Sequence, residues 1–268
     1  MRKKLCFVLG AGGARGIAHI GFLQAMDDNK IKPDYIAGCS MGAVVGACYS
    51  AGFTPERMRG VAESLKFSDI ADFSLMPFTK KSIMRSVKMR NKISSLLGDI
   101  KFEDLNIPFE CIAVDLVTGK EVILSEGSVA EAVCASSAIP MVFRAVEKDG
   151  MELVDGGIIS RLPLHCIKDF HADVVVAVDV LGRLKEYKPS RSILGQMLRV
   201  VDVNDENHTR RMLRHLKPNV LIEPELGDMS QFKVENLQYA YEQGYKAGME
   251  NAKAIKKLLR KSKETKKQ

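Results

Sequence analysis

The chain has 268 residues, 46% of them hydrophobic, which is enough for one large core or two small domains. This composition excludes a collagen-like, low-complexity or disulfide-scaffold protein. The formal net charge of +7 is local, because residues 251–268 carry eight Lys/Arg and one Glu while residues 1–250 balance to zero. A second basic block, residues 80–92, has six Lys/Arg and no acid. The pattern excludes a nucleic-acid-binding protein that is basic throughout, and it permits contact with an anionic membrane surface.

The N-terminus and the cysteines indicate a reduced protein without a membrane span. The first residues resemble a signal peptide, but their apolar run extends only from Leu5 to Leu9, which favours a buried strand. No apolar run approaches the ~20 residues that span a bilayer. The six cysteines form no C-x-x-C pair, and cysteine and histidine do not cluster at metal-ligand spacing, so we expect core thiols and no metal site. We therefore expect a cytoplasmic protein. Peripheral contact with the inner membrane face through the basic patches is one hypothesis, and a packed C-terminal helix followed by a solvated tail is the alternative.

In chain order, the first predicted elements alternate between strand and helix. Strands are predicted at 3–9 and 33–38 and helices at 16–29 and 43–50, an order that favours a parallel sheet with right-handed crossovers. Residues 66–100 mix large apolar side chains with the basic block, and we interpret them as a helical cap inserted into one domain.

The second half of the chain contains two hairpin signals. Thr118–Lys120 and Asp149–Gly150 provide the turns, while Ser128 and Glu131 form a capping box that starts a helix. The predicted elements are, in order, a hairpin at 109–127, a helix at 128–137, a hairpin at 142–157, a strand buried on both faces at 173–181, a helix at 192–216, a strand at 220–224 and a helix at 234–261.

The stretch GAGGARG, Gly10 to Gly16, lies between the first predicted strand and helix. Consecutive glycines let backbone N–H groups point into one small space, where a helix N-terminus stabilises the negative charge of a phosphate or an oxyanion. A dinucleotide fingerprint would need glycine at Ala11 or Arg15, and a Walker A loop would need Gly-Lys-Ser/Thr. The loop is therefore a candidate anion site, with a tight turn as the alternative.

The stretch GCSMG, residues 38–42, matches the G-x-S-x-G pattern between a predicted strand and a helix. Its two glycines allow the sharp turn that lifts the Ser40 hydroxyl out of the sheet. If the first two strands are parallel neighbours, this turn and the glycine loop emerge at the same carboxyl edge. The glycine N–H groups can then face Ser40 as an oxyanion hole.

Ser40 needs a proton acceptor, and the residues alone leave its identity open. His165 is the most suitable histidine, because the other histidines that follow in the chain open a strand or lie in a polar, helical stretch. A carboxylate can also take the proton directly, and VDGG, Val154 to Gly157, ends a predicted strand. Three other aspartates flank predicted strands as well.

Taken in order, GAGGARG, GCSMG and DGG resemble the patatin-like phospholipase family. ASSAIPMVF, around Pro140, and YEQGYKAG, at 241–248, are similar to segments of that family, so the resemblance covers most of residues 4–250. It implies an α/β fold, a three-layer α/β/α sandwich with a mostly parallel central sheet. The acyl hydrolase domain would span 1–250 with the cap-like insertion at 66–100, and residues 251–268 would form a basic helix end and tail.

The resemblance also implies roles for individual residues. Ser40 would be the nucleophile and Asp155 the general base of a Ser–Asp dyad, with no catalytic histidine. The N–H groups around Gly12 and Gly13 would form the oxyanion hole, and Arg15 would order that loop. The supporting motif residues are Gly10, Gly16, Gly38, Gly42, Gly156 and Gly157. Such an enzyme cleaves a lipid or other acyl ester through an acyl-enzyme intermediate and needs no metal or organic cofactor.

Two functions of other classes stay open at the level of sequence. The glycine loop could serve a nucleotide- or phosphate-binding module, and the chain could be a catalytically idle lipid-binding regulator. The sequence leaves the acyl chain, the head group and the oligomeric state undetermined.

Overall fold

The computed structural model describes residues 3–64, 80–168, 170–183, 193–231 and 236–260. The strands are β1 (Leu5–Leu9), β2 (Tyr35–Gly38), β3 (Phe109–Asp115), β4 (Lys120–Leu124), β5 (Val146–Lys148), β6 (Met151–Asp155), β7 (Val174–Val178) and β8 (Val220–Ile222). The helices are α1 (Ile17–Asp28), α2 (Met41–Ser50), α3 (Pro55–Ser64), α4 (Lys80–Leu97), α5 (Val129–Ser136), α6 (Ile193–His215) and α7 (Leu237–Leu259).

The eight strands form one sheet in the order β5-β6-β3-β2-β1-β7-β8, with β4 paired to β3. The neighbouring strands β3, β2, β1, β7 and β8 run parallel to one another. Strands β4 and β6 pair antiparallel with β3, and β5 pairs antiparallel with β6. Both predicted hairpins are present as β3–β4 and β5–β6. The α/β fold with a mostly parallel central sheet is therefore confirmed.

Helices and loops cover the two faces of the sheet. One face packs Phe7, Leu9 and Ile36 against apolar residues from α1 to α5 and from α7. The other face, which includes Val8 and Ile112, is covered by residues 162–166 and the C-terminal part of α6. Strand β1 is buried on both faces, as expected for a central parallel strand.

Two strands meet end to end along one edge of β3, and this arrangement positions the site. Strand β4 pairs with residues 111–115 along one edge of β3, so β2 and β6 must both lie on the other edge of β3. Strand β2 runs parallel to β3 and ends with Gly38 beside Cys111, whereas β6 runs antiparallel and ends with Asp155 beside Ala113. The carboxyl ends of β2 and β6 therefore face each other.

The segment predicted as a cap and the C-terminal segment are described in part. Helix α4 occupies residues 80–97 of the predicted cap, and residues 65–79 lie outside the described residues. Helix α7 passes through residue 250 without a break, and Ala252 and Ile255 are buried in the core. The division at residue 250 stays a prediction. None of the described helices combines the length and apolarity needed to cross a lipid bilayer.

Candidate active site

Ser40 lies at a sharp turn between β2 and α2, in a backbone conformation that few residues with a side chain adopt. Its φ is 53° and its ψ −122°, and such strained residues concentrate at functional sites. A Cβ at Gly42 would lie 2.1 Å from the Leu9 carbonyl oxygen, and one at Gly38 would lie 2.7 Å from Ala43 Cα. Both glycines are therefore required by the close approach of the backbone, as the strand-to-helix turn predicts.

Hydrogen bonds from the end of α5 hold the backbone of Ser40. Its N–H donates to Ser136 Oγ at 3.0 Å, and its carbonyl oxygen accepts a hydrogen bond from Ser137 Oγ at 3.4 Å. The same carbonyl accepts from the N–H groups of Ala43 and Val44 in the first turn of α2. Ser40 thus caps α2, where the helix dipole stabilises negative charge.

Asp155, the last residue of β6, lies with its carboxyl group against Ser40. The carboxyl group accepts a hydrogen bond from the Gly157 N–H at 2.8 Å, and the neighbouring Ser40 side chain lowers its pKa. Cys39 Sγ is 3.8 Å from Asp155 Oδ1. Burial is the largest influence on the Asp155 carboxyl group and raises its pKa to about 6, while Ser40, the Gly157 N–H and Cys39 act in the opposite direction. A carboxyl group with this pKa is ionised at neutral pH and can accept a proton from an adjacent hydroxyl.

The glycine loop after β1 leaves two backbone N–H groups available. Its Gly10 N–H donates to a carbonyl oxygen of β7, and its Ala14 N–H donates to the Gln231 carbonyl oxygen at 2.9 Å. Within the part of the chain that the structure describes, the N–H groups of Gly12 and Gly13 have no acceptor. Both glycines line a cavity that also contains the serine.

Arg15 contributes to this loop through its backbone. Its N–H donates to the Gly12 carbonyl oxygen at 3.1 Å and closes a 3₁₀ turn that begins at Gly13. Gly13 has a φ of 51°, and a Cβ there would lie 2.2 Å from the Gln231 carbonyl oxygen, so only glycine fits. The Arg15 N–H is used within the turn and is not free to bind an oxyanion, and its predicted role in ordering the loop stays a prediction.

Arg161, a buried residue that no sequence pattern indicates, supports the glycine loop. The Arg161 carbonyl oxygen accepts the Ala11 N–H at 2.8 Å. Its guanidinium group donates to Asp179 Oδ2 at 2.9 Å and to the Gly182 carbonyl oxygen at 2.6 Å, and lies 3.4 Å from an Asp205 oxygen. These contacts connect residues that are distant in sequence, so no local pattern indicated them.

Two histidines have roles other than proton acceptor for Ser40. His165, the histidine favoured by the sequence, hydrogen-bonds to Glu121 and lies outside both cavities that contain Ser40. His19 is fully buried in α1, where its Nε2 lies 2.8 Å from the Gly10 carbonyl oxygen. Burial lowers the pKa of His19 to about 4, so the neutral ring donates this hydrogen bond and supports the glycine loop.

Two cavities meet at Ser40. The larger has a volume of about 210 Å³ and an apolar lining that includes Ile17, Val44, Phe53, Ile93, Leu96 and Phe143. The smaller, about 70 Å³, is lined by the glycine loop and by Asp155, Asp202 and Asp205. Ser40 and Gly13 line both. An apolar chain fits the first cavity, and the second has room only for a small group.

The family model described as patatin-like phospholipase matches residues 7–166, more than half of the chain. The chain belongs to the patatin-like phospholipase family. The matched range contains the glycine loop, Ser40 and Asp155.

Individual relatives share only part of their length with this chain. An uncharacterised NTE family protein of Mycobacterium tuberculosis is 38% identical over 188 residues, 70% of this chain and 51% of the relative. Lysophospholipase nte1 of Aspergillus fumigatus is 31% identical over 197 residues, 70% of this chain and 13% of the relative. Among solved structures, VipD from Legionella pneumophila has a TM-score of 0.58 at 13% identity, covering 95% of this chain and 67% of VipD, which shows the fold alone.

Proposed function

We propose that the chain is a serine lipid acyl hydrolase that uses Ser40 as nucleophile and Asp155 as general base. The observation that supports this most directly is the position of Ser40 beside the buried Asp155, since both line one cavity and the Ser40 side chain lowers the pKa of the Asp155 carboxyl group. Asp155 accepts the Ser40 proton as Oγ attacks the ester carbonyl carbon. The N–H groups of Gly12 and Gly13 stabilise the oxyanion of the tetrahedral intermediate.

The same groups complete acylation and then carry out hydrolysis of the acyl-enzyme. The proton on Asp155 passes to the departing alcohol, leaving the acyl group on Ser40 Oγ. Asp155 then takes a proton from the water that attacks the acyl carbon, and returns it to Ser40 Oγ as the bond from Oγ to that carbon breaks and the fatty acid is released. The apolar cavity accommodates the acyl chain, and the smaller cavity accommodates the alcohol. A relative named as a lysophospholipase makes a lysophospholipid the first substrate to test.

The test is covalent labelling together with hydrolysis. We expect a fluorophosphonate probe to label the wild-type chain and not Ser40→Ala, which keeps the fold because a buried hydroxyl is merely removed. Ser94→Ala, on the exposed face of α4, is the matched control and should label normally. Labelling of Ser40→Ala at the wild-type rate contradicts the proposal. Failure of the wild type to label supports the idle regulator instead, whereas labelling without hydrolysis of lysophospholipid points to another acyl ester as the substrate.

We also propose that the enzyme contacts anionic membranes through α4. This helix has the six basic residues of the 80–92 block and no acid along its length. Its Met89, Ile93 and Leu96 line the apolar cavity, so the basic helix lies directly beside the proposed acyl site. Attraction of such a helix to anionic lipid would bring the cavity to its substrate.

A further inference from the structure

Away from the proposed active site, three side chains with metal-binding atoms converge on the opposite face of the sheet. Glu121, His165 and Cys166 each offer one ligand atom, and these atoms all lie within 4.8 Å of one another. His165 Nε2 hydrogen-bonds to Glu121 Oε1 and lies 3.5 Å from Cys166 Sγ. All three residues lie outside both cavities that contain the serine.

The fold explains why these residues meet. Register pairs Glu121 of β4 with Val114 of β3, which places its side chain on the sheet face that includes Ile112. The segment 162–166 packs onto the same face and buries Cys166. The sequence alone predicts no metal site, because histidine and cysteine do not cluster along the chain at the spacing of metal ligands. The adjacent pair His165-Cys166 becomes a candidate only when β4 supplies the third ligand.

The geometry points to one zinc ion bound by Glu121, His165 and Cys166, a site that we propose as new. Zinc forms bonds of about 2.3 Å to sulfur and about 2.0 Å to nitrogen, so two such ligands at a tetrahedral angle lie about 3.5 Å apart. His165 Nε2 and Cys166 Sγ are 3.5 Å apart. Carboxylate, imidazole and thiolate are all zinc ligands, and three of them leave a fourth position for water.

Binding replaces the direct Glu121–His165 hydrogen bond by two bonds to the metal. The Cys166 thiol loses its proton to solvent when sulfur binds zinc, and His165 binds as a neutral imidazole. One thiolate and one carboxylate balance the charge of Zn²⁺, which suits a largely buried position. The side chains of His165 and Glu121 are 26% and 18% exposed, so an ion can enter from solvent.

A second acidic residue lies behind the cluster. Glu110 of β3 is buried, and its carboxyl group interacts with the side chains of Cys166 and Tyr35. The site would tie β4 to the segment that precedes Cys166, and that segment begins at Arg161, whose carbonyl oxygen holds the glycine loop.

The experiment measures metal binding by the full chain after any affinity tag and bound metal have been removed. Calorimetric titration with Zn²⁺ should give one ion per chain, and repeating it in two buffers of different ionisation enthalpy should show at least one proton released. Co²⁺ should give the visible bands of a tetrahedral site and a thiolate charge-transfer band. His165→Ala should weaken binding at least 100-fold, and Cys166→Ser should remove the charge-transfer band.

Matched controls separate this site from the other thiols. His215→Ala removes an exposed histidine at the end of α6, and Cys134→Ser alters another buried cysteine, and both should bind as the wild type does. If Cys166→Ser fails to fold, Glu121→Gln replaces it, because that residue is partly exposed. No binding by the wild type, or equal binding by His165→Ala and the wild type, would overturn the proposal. Fluorophosphonate labelling is independent of either result.

Discussion

Asp155 combines burial with hydrogen bonds that favour its ionised form. Burial raises its pKa to about 6, while the Gly157 N–H and the Ser40 side chain act in the opposite direction. A general base must be ionised to accept a proton, so the group is inactive below this pKa and active above it. We expect kcat/KM for a neutral ester to rise with pH through about 6, and a pH profile measured between pH 4 and 8 tests this.

The same pKa makes Asp155 a destabilising residue at neutral pH. The folded state binds a proton more tightly than the unfolded chain, whose Asp has a pKa near 3.8, so stability is lost as pH rises from about 4 to about 6. Two pKa units correspond to about 3 kcal/mol. We therefore expect Asp155→Asn, which keeps an oxygen for the Gly157 N–H, to exceed the wild type in unfolding free energy by up to this amount at pH 8.

This prediction is checked by urea denaturation of both proteins at pH 5 and pH 8. The difference should shrink at pH 5, where the wild-type carboxyl group is largely protonated, and hydrolysis by Asp155→Asn should be nearly abolished at both. Asp99→Asn, an exposed substitution, should show neither effect. If Asp155→Asn were less stable than the wild type at pH 8, the hydrogen bonds to the Asp155 carboxylate would outweigh the cost of burying its charge.

At the scale of elements, α1 and α7 are in direct backbone contact. A Cβ at Gly244 would lie 1.9 Å from the Ala18 carbonyl oxygen, and one at Gly21 would lie 1.9 Å from the Tyr241 carbonyl oxygen. These glycines therefore set the distance between two helices. Since α1 follows the glycine loop directly and His19 supports that loop, displacement of α1 would reach the proposed oxyanion hole.

Gly244→Ala should consequently destabilise the protein. Overpacking typically lowers the unfolding free energy by ~1–3 kcal/mol, which outweighs the gain of up to about 1 kcal/mol in helix propensity. Gly60→Ala, in α3, is the matched control, because a Cβ there has no neighbour within 4 Å. It should stabilise by up to about 1 kcal/mol. Denaturation curves compare them, and equal stability of Gly244→Ala and the wild type would mean that α7 shifts freely.

Local signals in the sequence predicted most elements, and long-range contacts account for what it missed. Apolar runs followed by turn residues were sufficient for β1, β2 and both hairpins, and the motif glycines indicated the turn at Ser40. Nothing local shows that β6 ends opposite β2 on one edge of β3. Nor does any pattern show that Arg161 holds the glycine loop, or that Glu121 joins His165.

At the scale of the whole molecule, the charge distribution determines which surface can meet a membrane. The described part of the C-terminal basic segment, 251–260, packs against the core through Ala252 and Ile255 and lies at the end of α7. Helix α4, in contrast, lines the apolar cavity and carries basic residues without acids. The position of α4 beside the cavity favours it over α7 as the surface that delivers lipid substrate.

Reversing charge on α4 should therefore weaken membrane binding more than the same change on α7. Each basic residue near an anionic surface contributes ~1 kcal/mol, so replacing Lys88 and Arg90 by Glu should lower vesicle binding at least 100-fold. The same replacement of Lys253 and Lys257 is the matched control. Sedimentation with vesicles containing phosphatidylserine measures both, and hydrolysis of a soluble ester should not change. Salt screens electrostatic attraction, so vesicle binding that is insensitive to salt would contradict docking through α4. Binding that is weakened more by the α7 changes than by the α4 changes would contradict it as well.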